Sequence, residues 1–120
     1  STMDKAYVAL GVLYAKDGDF ENAKLYLEEA TQINKENRDA FNELGKLYQK
    51  QKNYETAVRF FRRATQIDEQ FAEGFVNMGL VNIDEKSYVK AISAFNEAVK
   101  IDSTLPEGFF NLPQGQGVWE

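Results

Sequence analysis

Residues 41–48 read Phe-Asn-Glu-Leu-Gly-Lys-Leu-Tyr. Within them Phe41, Leu44, Gly45 and Tyr48 step by three, one and three. That spacing puts the four side chains on one face of a helix. A glycine inside a helix costs about 1 kcal/mol relative to alanine, so Gly45 needs a packing reason. Stepping 34 residues in either direction lands on Gly11 and Gly79. The same step joins Tyr7, Phe41 and Phe75, and it joins Leu10, Leu44 and Met78. It also joins Phe20, Tyr54 and Tyr88, then Ala23, Ala57 and Ala91, then Leu27, Phe61 and Phe95. Ala30, Ala64 and Ala98 follow the same register, as do Ile33, Ile67 and Ile101. Eight slots agree across three copies, which defines units at 4–37, 38–71 and 72–105.

Each unit carries a second helical series after the first. Ala23, Leu27, Ala30 and Ile33 step by four, three and three. Short polar segments separate the two series: Lys16-Asp17-Gly18-Asp19, Lys50-Gln51-Lys52-Asn53 and Asp84-Glu85-Lys86-Ser87. They suit tight turns between helices. Asp19, Asn53 and Ser87 stand where a side-chain oxygen can cap the second helix. The pattern predicts first helices over 4–17, 38–51 and 72–85, and second helices over 20–34, 54–68 and 88–101. The architecture is therefore all-α, a stack of antiparallel hairpins. The repeated glycine implies that the two helices of a hairpin approach closely there. Ala23, Ala57 and Ala91 answer from the second helix, and Ala30, Ala64 and Ala98 leave room for the next unit.

A chain of 120 residues fits one domain, with 43% hydrophobic and 28% charged residues. There is no cysteine and no histidine, which excludes disulfides, thiolate nucleophiles, imidazole bases and the usual zinc ligands. Serines without a histidine base mark no nucleophile, and adjacent acids such as Glu28-Glu29 diverge around a helix. No enzyme and no cofactor is expected. A net charge of −5 repels phosphate backbones and argues against nucleic acid as a partner. No apolar run approaches the ~20 residues needed to span a bilayer, so no membrane insertion is expected. Ser1-Thr2-Met3-Asp4 has neither the basic stretch nor the apolar core of a signal peptide. The default compartment is the cytoplasm, with the periplasm and others left open, because a cysteine-free chain tolerates any redox potential.

The unit length and its slots resemble the tetratricopeptide repeat family over about 102 of 120 residues. The matching residues are Tyr7, Leu10-Gly11, Tyr14, Ala23, Leu27 and Ala30, with their counterparts 34 and 68 positions on. Two departures stand out. Asn82 replaces the tyrosine found at Tyr14 and Tyr48, and Lys35, Glu69 and Ser103 stand where a proline usually ends the unit. The resemblance implies a right-handed α-solenoid whose first helices line a concave groove. It places fifteen side chains there: Lys5, Val8, Ala9, Val12 and Lys16; Asp39, Asn42, Glu43, Lys46 and Lys50; Glu73, Val76, Asn77, Leu80 and Asp84. The peptide-binding set expected from these is Val8, Val12, Asn42, Glu43, Lys46, Val76, Asn77 and Leu80. An apolar strip with polar flanks suits an extended or helical peptide.

The resemblance also implies a negative. Family members that hold a chaperone's C-terminal carboxylate use Lys, Asn and Arg at positions occupied here by Val8, Val12, Glu43, Glu73 and Asn77. Glu43 and Glu73 would repel a carboxylate. The asparagine ladder of other members is half present, with Asn77 and Asn111 in the slot but Ala9 and Glu43 elsewhere in it.

Beyond the third unit, residues 105–112 mimic the opening of unit three, and the segment 106–120 reads as a partial fourth-unit helix and irregular tail. Pro106 suits a helix start, and Pro113 at the glycine slot ends it near 112. Phe109, Phe110, Leu112, Val118 and Trp119 are expected to cover the end of the stack or to pack on another molecule, giving self-association. The function expected is a scaffold or adaptor that binds a peptide segment of a partner protein. The alternatives are a recruiting arm of a larger enzyme or assembly, and a self-assembling structural solenoid.

Overall fold

The computed structural model describes residues 2–102. These form six helices in three hairpins: α1 (Met3–Lys16) with α2 (Phe20–Ile33), α3 (Arg38–Lys50) with α4 (Tyr54–Ile67), and α5 (Ala72–Asp84) with α6 (Tyr88–Ile101). Each first helix ends a residue before its expected limit, as does each of the first two second helices. The expected fourth-unit helix and the tail lie outside the described residues.

The three turns are one device used three times. The third residue of each turn has a positive φ: Gly18 at 82°, Lys52 at 62° and Lys86 at 63°. The next residue's N–H reaches back to the fifth-preceding carbonyl, Asp19 to Tyr14, Asn53 to Tyr48 and Ser87 to Asn82, at 2.8–3.0 Å. This closes the first helix with a left-handed C-terminal cap. The residue that closes one helix then stands at the start of the next, which is why four polar residues suffice. Asp19 also accepts the Asn22 N–H at 3.1 Å. Asn53 and Ser87 make no such side-chain cap, contrary to expectation. Asn37, not expected to cap, accepts the Ala40 N–H at 3.0 Å and starts α3.

The small residues do what their recurrence implies. A Cβ built on Gly11 would lie 2.5 Å from Leu27 Cγ. One on Gly45 would lie 2.5 Å from the Phe61 ring, and one on Gly79 would lie 2.6 Å from the Phe95 ring. The first-helix glycine is thus the socket for the large apolar knob of its partner. The alanines at 23, 57 and 91 and at 30, 64 and 98 are fully buried. Between units, Ala23 and Leu27 of α2 pack with Leu44 and Leu47 of α3. Ala57 and Phe61 of α4 pack with Met78 and Val81 of α5. The second helix of each unit therefore covers the first helix of the next. Among the described residues no second helix packs on the corresponding side of α1, and Leu10 and Leu13 are exposed where Leu44, Met78, Leu47 and Val81 are buried.

Candidate functional site

First helices also touch one another, α1 with α3 and α3 with α5, which makes a continuous wall on the side away from the second helices. Polar side chains stitch α3 to α5 along that wall. Asn77 Nδ2 donates to Asn42 Oδ1 at 3.0 Å, and Asn42 Nδ2 donates to Glu73 Oε2 at 3.2 Å. Near the other end Gln49 Nε2 donates to Asp84 Oδ2 at 3.5 Å. A buried amide must find partners, and Asn42 finds both within the protein.

Of the eight side chains expected to contact a ligand, Val76 is a correction. It is 2% exposed and packs with Ala91, Phe95 and Ala98 of α6. Its slot lies one residue after Phe75 and three before Gly79, on the shoulder of the packing face. The partner helix therefore covers it. Asn42, in the same slot, is buried too, and its amide is spent on α5. Val8, again in that slot, is half-buried against the cluster of Leu27, Leu44 and Leu47. The remaining five keep exposure. Val12, Glu43 and Asn77 are half-buried, while Lys46 and Leu80 are exposed, Leu80 to 38%. Glu43 and Lys46 pair at 3.4 Å, an exposed contact of small worth. Asn77 has an amide N–H committed to Asn42.

At the rim formed by the first-helix N-termini, a cleft of about 490 Å³ is lined by Asp4, Lys5, Val8, Asn37, Arg38 and Asp68, among others. Here sequence reasoning missed two structural ties. Arg38 Nη1 reaches Asp68 Oδ2 at 2.6 Å, and its guanidinium lies 4.1 Å over the Phe71 ring. In the equivalent place of unit one, Asn34 and Asn37 both donate to Asp4 Oδ2, at 3.0 and 2.8 Å. The two amides are oriented by the backbone, since their oxygens accept the Glu36 and Ala40 N–H groups. The Asn34 hydrogen bond, helped by Asn37, holds the Asp4 carboxyl below its ordinary value against the opposing cost of burial. The signal was available: Asp4 and Asn34 occupy the slots of Arg38 and Asp68, 34 residues earlier. The adjacent pair Arg62-Arg63 divides: Arg62 is exposed, while Arg63 lies 5.6 Å over the Phe41 ring.

Among the described residues no helix is long and apolar enough to cross a membrane. No curated relative matches the chain by sequence. Similar solved folds are plentiful. MamA superposes with a TM-score of 0.81 at 22% identity, over 85% of this chain and 60% of that one. An O-GlcNAc transferase of Thermobaculum terrenum superposes at 0.78 with 23% identity, over 87% of this chain but 20% of the enzyme. The second repeat domain of Spaghetti (RPAP3), bound to the HSP90 peptide SRMEEVD, superposes at 0.77 with 17% identity, over 83% of this chain and 93% of that one. This chain thus spans about three-fifths of the MamA chains. At these identities the likeness concerns the fold. The sequence itself matches the tetratricopeptide repeat family over residues 14–74 and again over 72–105. With glycine sockets, buried alanines and 34-residue hairpins all in that register, the chain belongs to the tetratricopeptide repeat family and forms an all-α helical repeat solenoid.

Proposed function

We propose that this chain is a protein-interaction scaffold that holds a peptide segment of a partner along the wall of first helices. One observation carries the reading: Gly79 and Leu80 are adjacent on α5, yet Gly79 is sealed against Phe95 while Leu80, turned about 100° away around the helix, stands exposed. The face left over from packing thus offers two apolar side chains, Val12 and Leu80, in line with Lys46 between them and with Glu43 and Asn77 alongside. Apolar pockets for side chains and an acceptor for a backbone N–H are what an extended or helical peptide needs. The peptide seated on RPAP3 supports the class of ligand on a similar fold. Its acidic character does not carry over, because Glu43 and Glu73 would repel a terminal carboxylate.

The test is selection of peptides on the full chain followed by calorimetry. Leu80→Asp is expected to weaken a selected peptide by at least about tenfold, as central anchors do. Unchanged affinity would remove the wall as the binding surface. An acidic peptide ending in a free carboxylate is expected not to bind, and micromolar affinity for it would contradict the charge argument.

A second reading has its own support, that the repeats are the recruiting arm of a larger assembly. Met3, Leu10 and Leu13 form a strip on the outer side of α1, with Leu13 62% exposed. Terminal repeats normally turn a polar face outward. A variant carrying Leu10→Lys and Leu13→Glu is expected to lower association between this chain and the remainder of its assembly, measured by co-purification from the native source. An unchanged yield would exclude the α1 face from that role.

A further inference from the structure

The three units differ in one feature that bears on ligand binding. In unit one Tyr26 of α2 is stacked on both Tyr7 and Tyr14 of α1, at 5.9 and 5.4 Å between ring centres. In unit two Phe60 of α4 lies in the same way between Phe41 and Tyr48 of α3, at 6.3 and 5.6 Å. Moving 34 residues on, the three slots hold Phe75, Ala94 and Asn82. Two of the three rings are gone. The space they fill elsewhere belongs here to an open cleft of about 630 Å³ between α4 and α6, with α5 as its floor. Phe75, Met78, Asn82, Ala94 and Val58 line it. The corresponding valley between α2 and α4, about 450 Å³, is lined by Phe60. The cleft volume is within the range of small-ligand sites.

Asn82 gives the cleft its chemistry. The residue is 7% exposed and lines the cavity. An amide on a cleft wall can exchange water for a polar group of a ligand, donating or accepting as that group requires. Phe75 offers a ring face to stack on, and the repeat shows what normally stacks there.

We infer that this cleft is a second binding site, separate from the wall of first helices, which takes a tyrosine side chain from a partner protein. The guest ring replaces the one missing at Ala94 and stacks on Phe75. Its hydroxyl meets the Asn82 amide. Charges of both signs on the rim, Glu55, Arg62, Glu85 and Lys90, hold the flanking peptide without selecting a single sign.

The test titrates the full ¹⁵N-labelled chain with N-acetyl-tyrosinamide and follows backbone amides by NMR. Saturable shifts are expected at Val58, Phe75, Asn82 and Ala94, with N-acetyl-leucinamide at least about tenfold weaker. Ala94→Phe rebuilds the ring pair in place, and is expected to raise the melting temperature and abolish the shifts. Asn82→Ala, which leaves the cleft open, is expected to erase the preference for the tyrosine amide over the phenylalanine amide. Equal binding by Ala94→Phe overturns the inference, as do shifts confined to Val12 and Leu80. So does binding that emerges only after Trp119→Ala, because the chain's own tail would then be the occupant.

Discussion

On α3, Phe41, Leu44, Gly45 and Tyr48 face neighbouring helices, while Glu43 and Lys46 on the same turns face away from them. The first group meets Phe60 and Phe61 of α4 and Leu27 of α2. The second group pairs with each other across one turn. The first group recurs in kind at 34-residue steps with Asn82 the one departure, whereas the second reads Ala9, Glu43, Asn77 in one slot and Val12, Lys46, Leu80 in the next. Packing demands the same volumes wherever the same helices meet, so those slots are constrained within the molecule itself. The outward slots carry no such demand, and their residues are set by whatever lies outside.

The comparison can be broken from the packing side first. Phe61→Ala should remove the knob that fills the Gly45 socket and the core shared with Met78 and Val81. A loss of about 3–5 kcal/mol is expected by urea unfolding, as for other buried phenylalanines. A loss no larger than that of an exposed residue would mean that the socket is not filled as described. Gly45→Leu approaches the same contact from the other helix. Overpacking against the Phe61 ring should cost about 1–3 kcal/mol, and an unchanged melting curve would refute the close approach.

Asp4 sharpens the comparison at the junction of units, where a polar group does the packing. Its carboxyl is held low by the Asn34 and Asn37 amides, so the folded state binds its proton less readily than the unfolded chain. The stability from Asp4 is therefore present above the unfolded value of about 3.9 and is lost as pH falls through the lower folded value. Asp4→Asn should lower the melting temperature at neutral pH and flatten the decline below about pH 4. A decline as steep as that of the parent would assign the acid sensitivity elsewhere.

The smallest effect belongs to the turns. Gly18 suits its positive φ, while Lys52 and Lys86 hold the same conformation with a side chain. Lys86→Gly relieves that cost and adds some unfolded-chain entropy, so a gain below about 1 kcal/mol is expected. A net loss would show that the turn is not strained.

Much of the fold was legible because it is written three times. Gly11, Gly45 and Gly79 announced the sockets, and the alanine series announced the close contacts. What was not legible depends on which helix lies over a shoulder. Val76 and Asn42 sit beside the packing face, and whether they reach the outer wall is decided by α6 in one case and α5 in the other. Asn82 was visible as a departure from Tyr14 and Tyr48. Its consequence was not, because that required knowing that Ala94 stands across from it. The turns carried a signal that went unread: Gly18 marks the left-handed position that Lys52 and Lys86 share. The caps divided likewise. Asp19 and Asn37 bond to the helix they begin, and Asn53 and Ser87 do not, although all three residue types favour that position.

The most direct measurement compares two adjacent residues on α5 by urea unfolding. Gly79→Leu should cost about 1–3 kcal/mol, because its side chain would enter the Phe95 ring, while Leu80→Asp should stay within about 0.5 kcal/mol of the parent. Equal losses, or a larger one at Leu80, would show that the outer wall is part of the core and contradict the division between packing face and binding face.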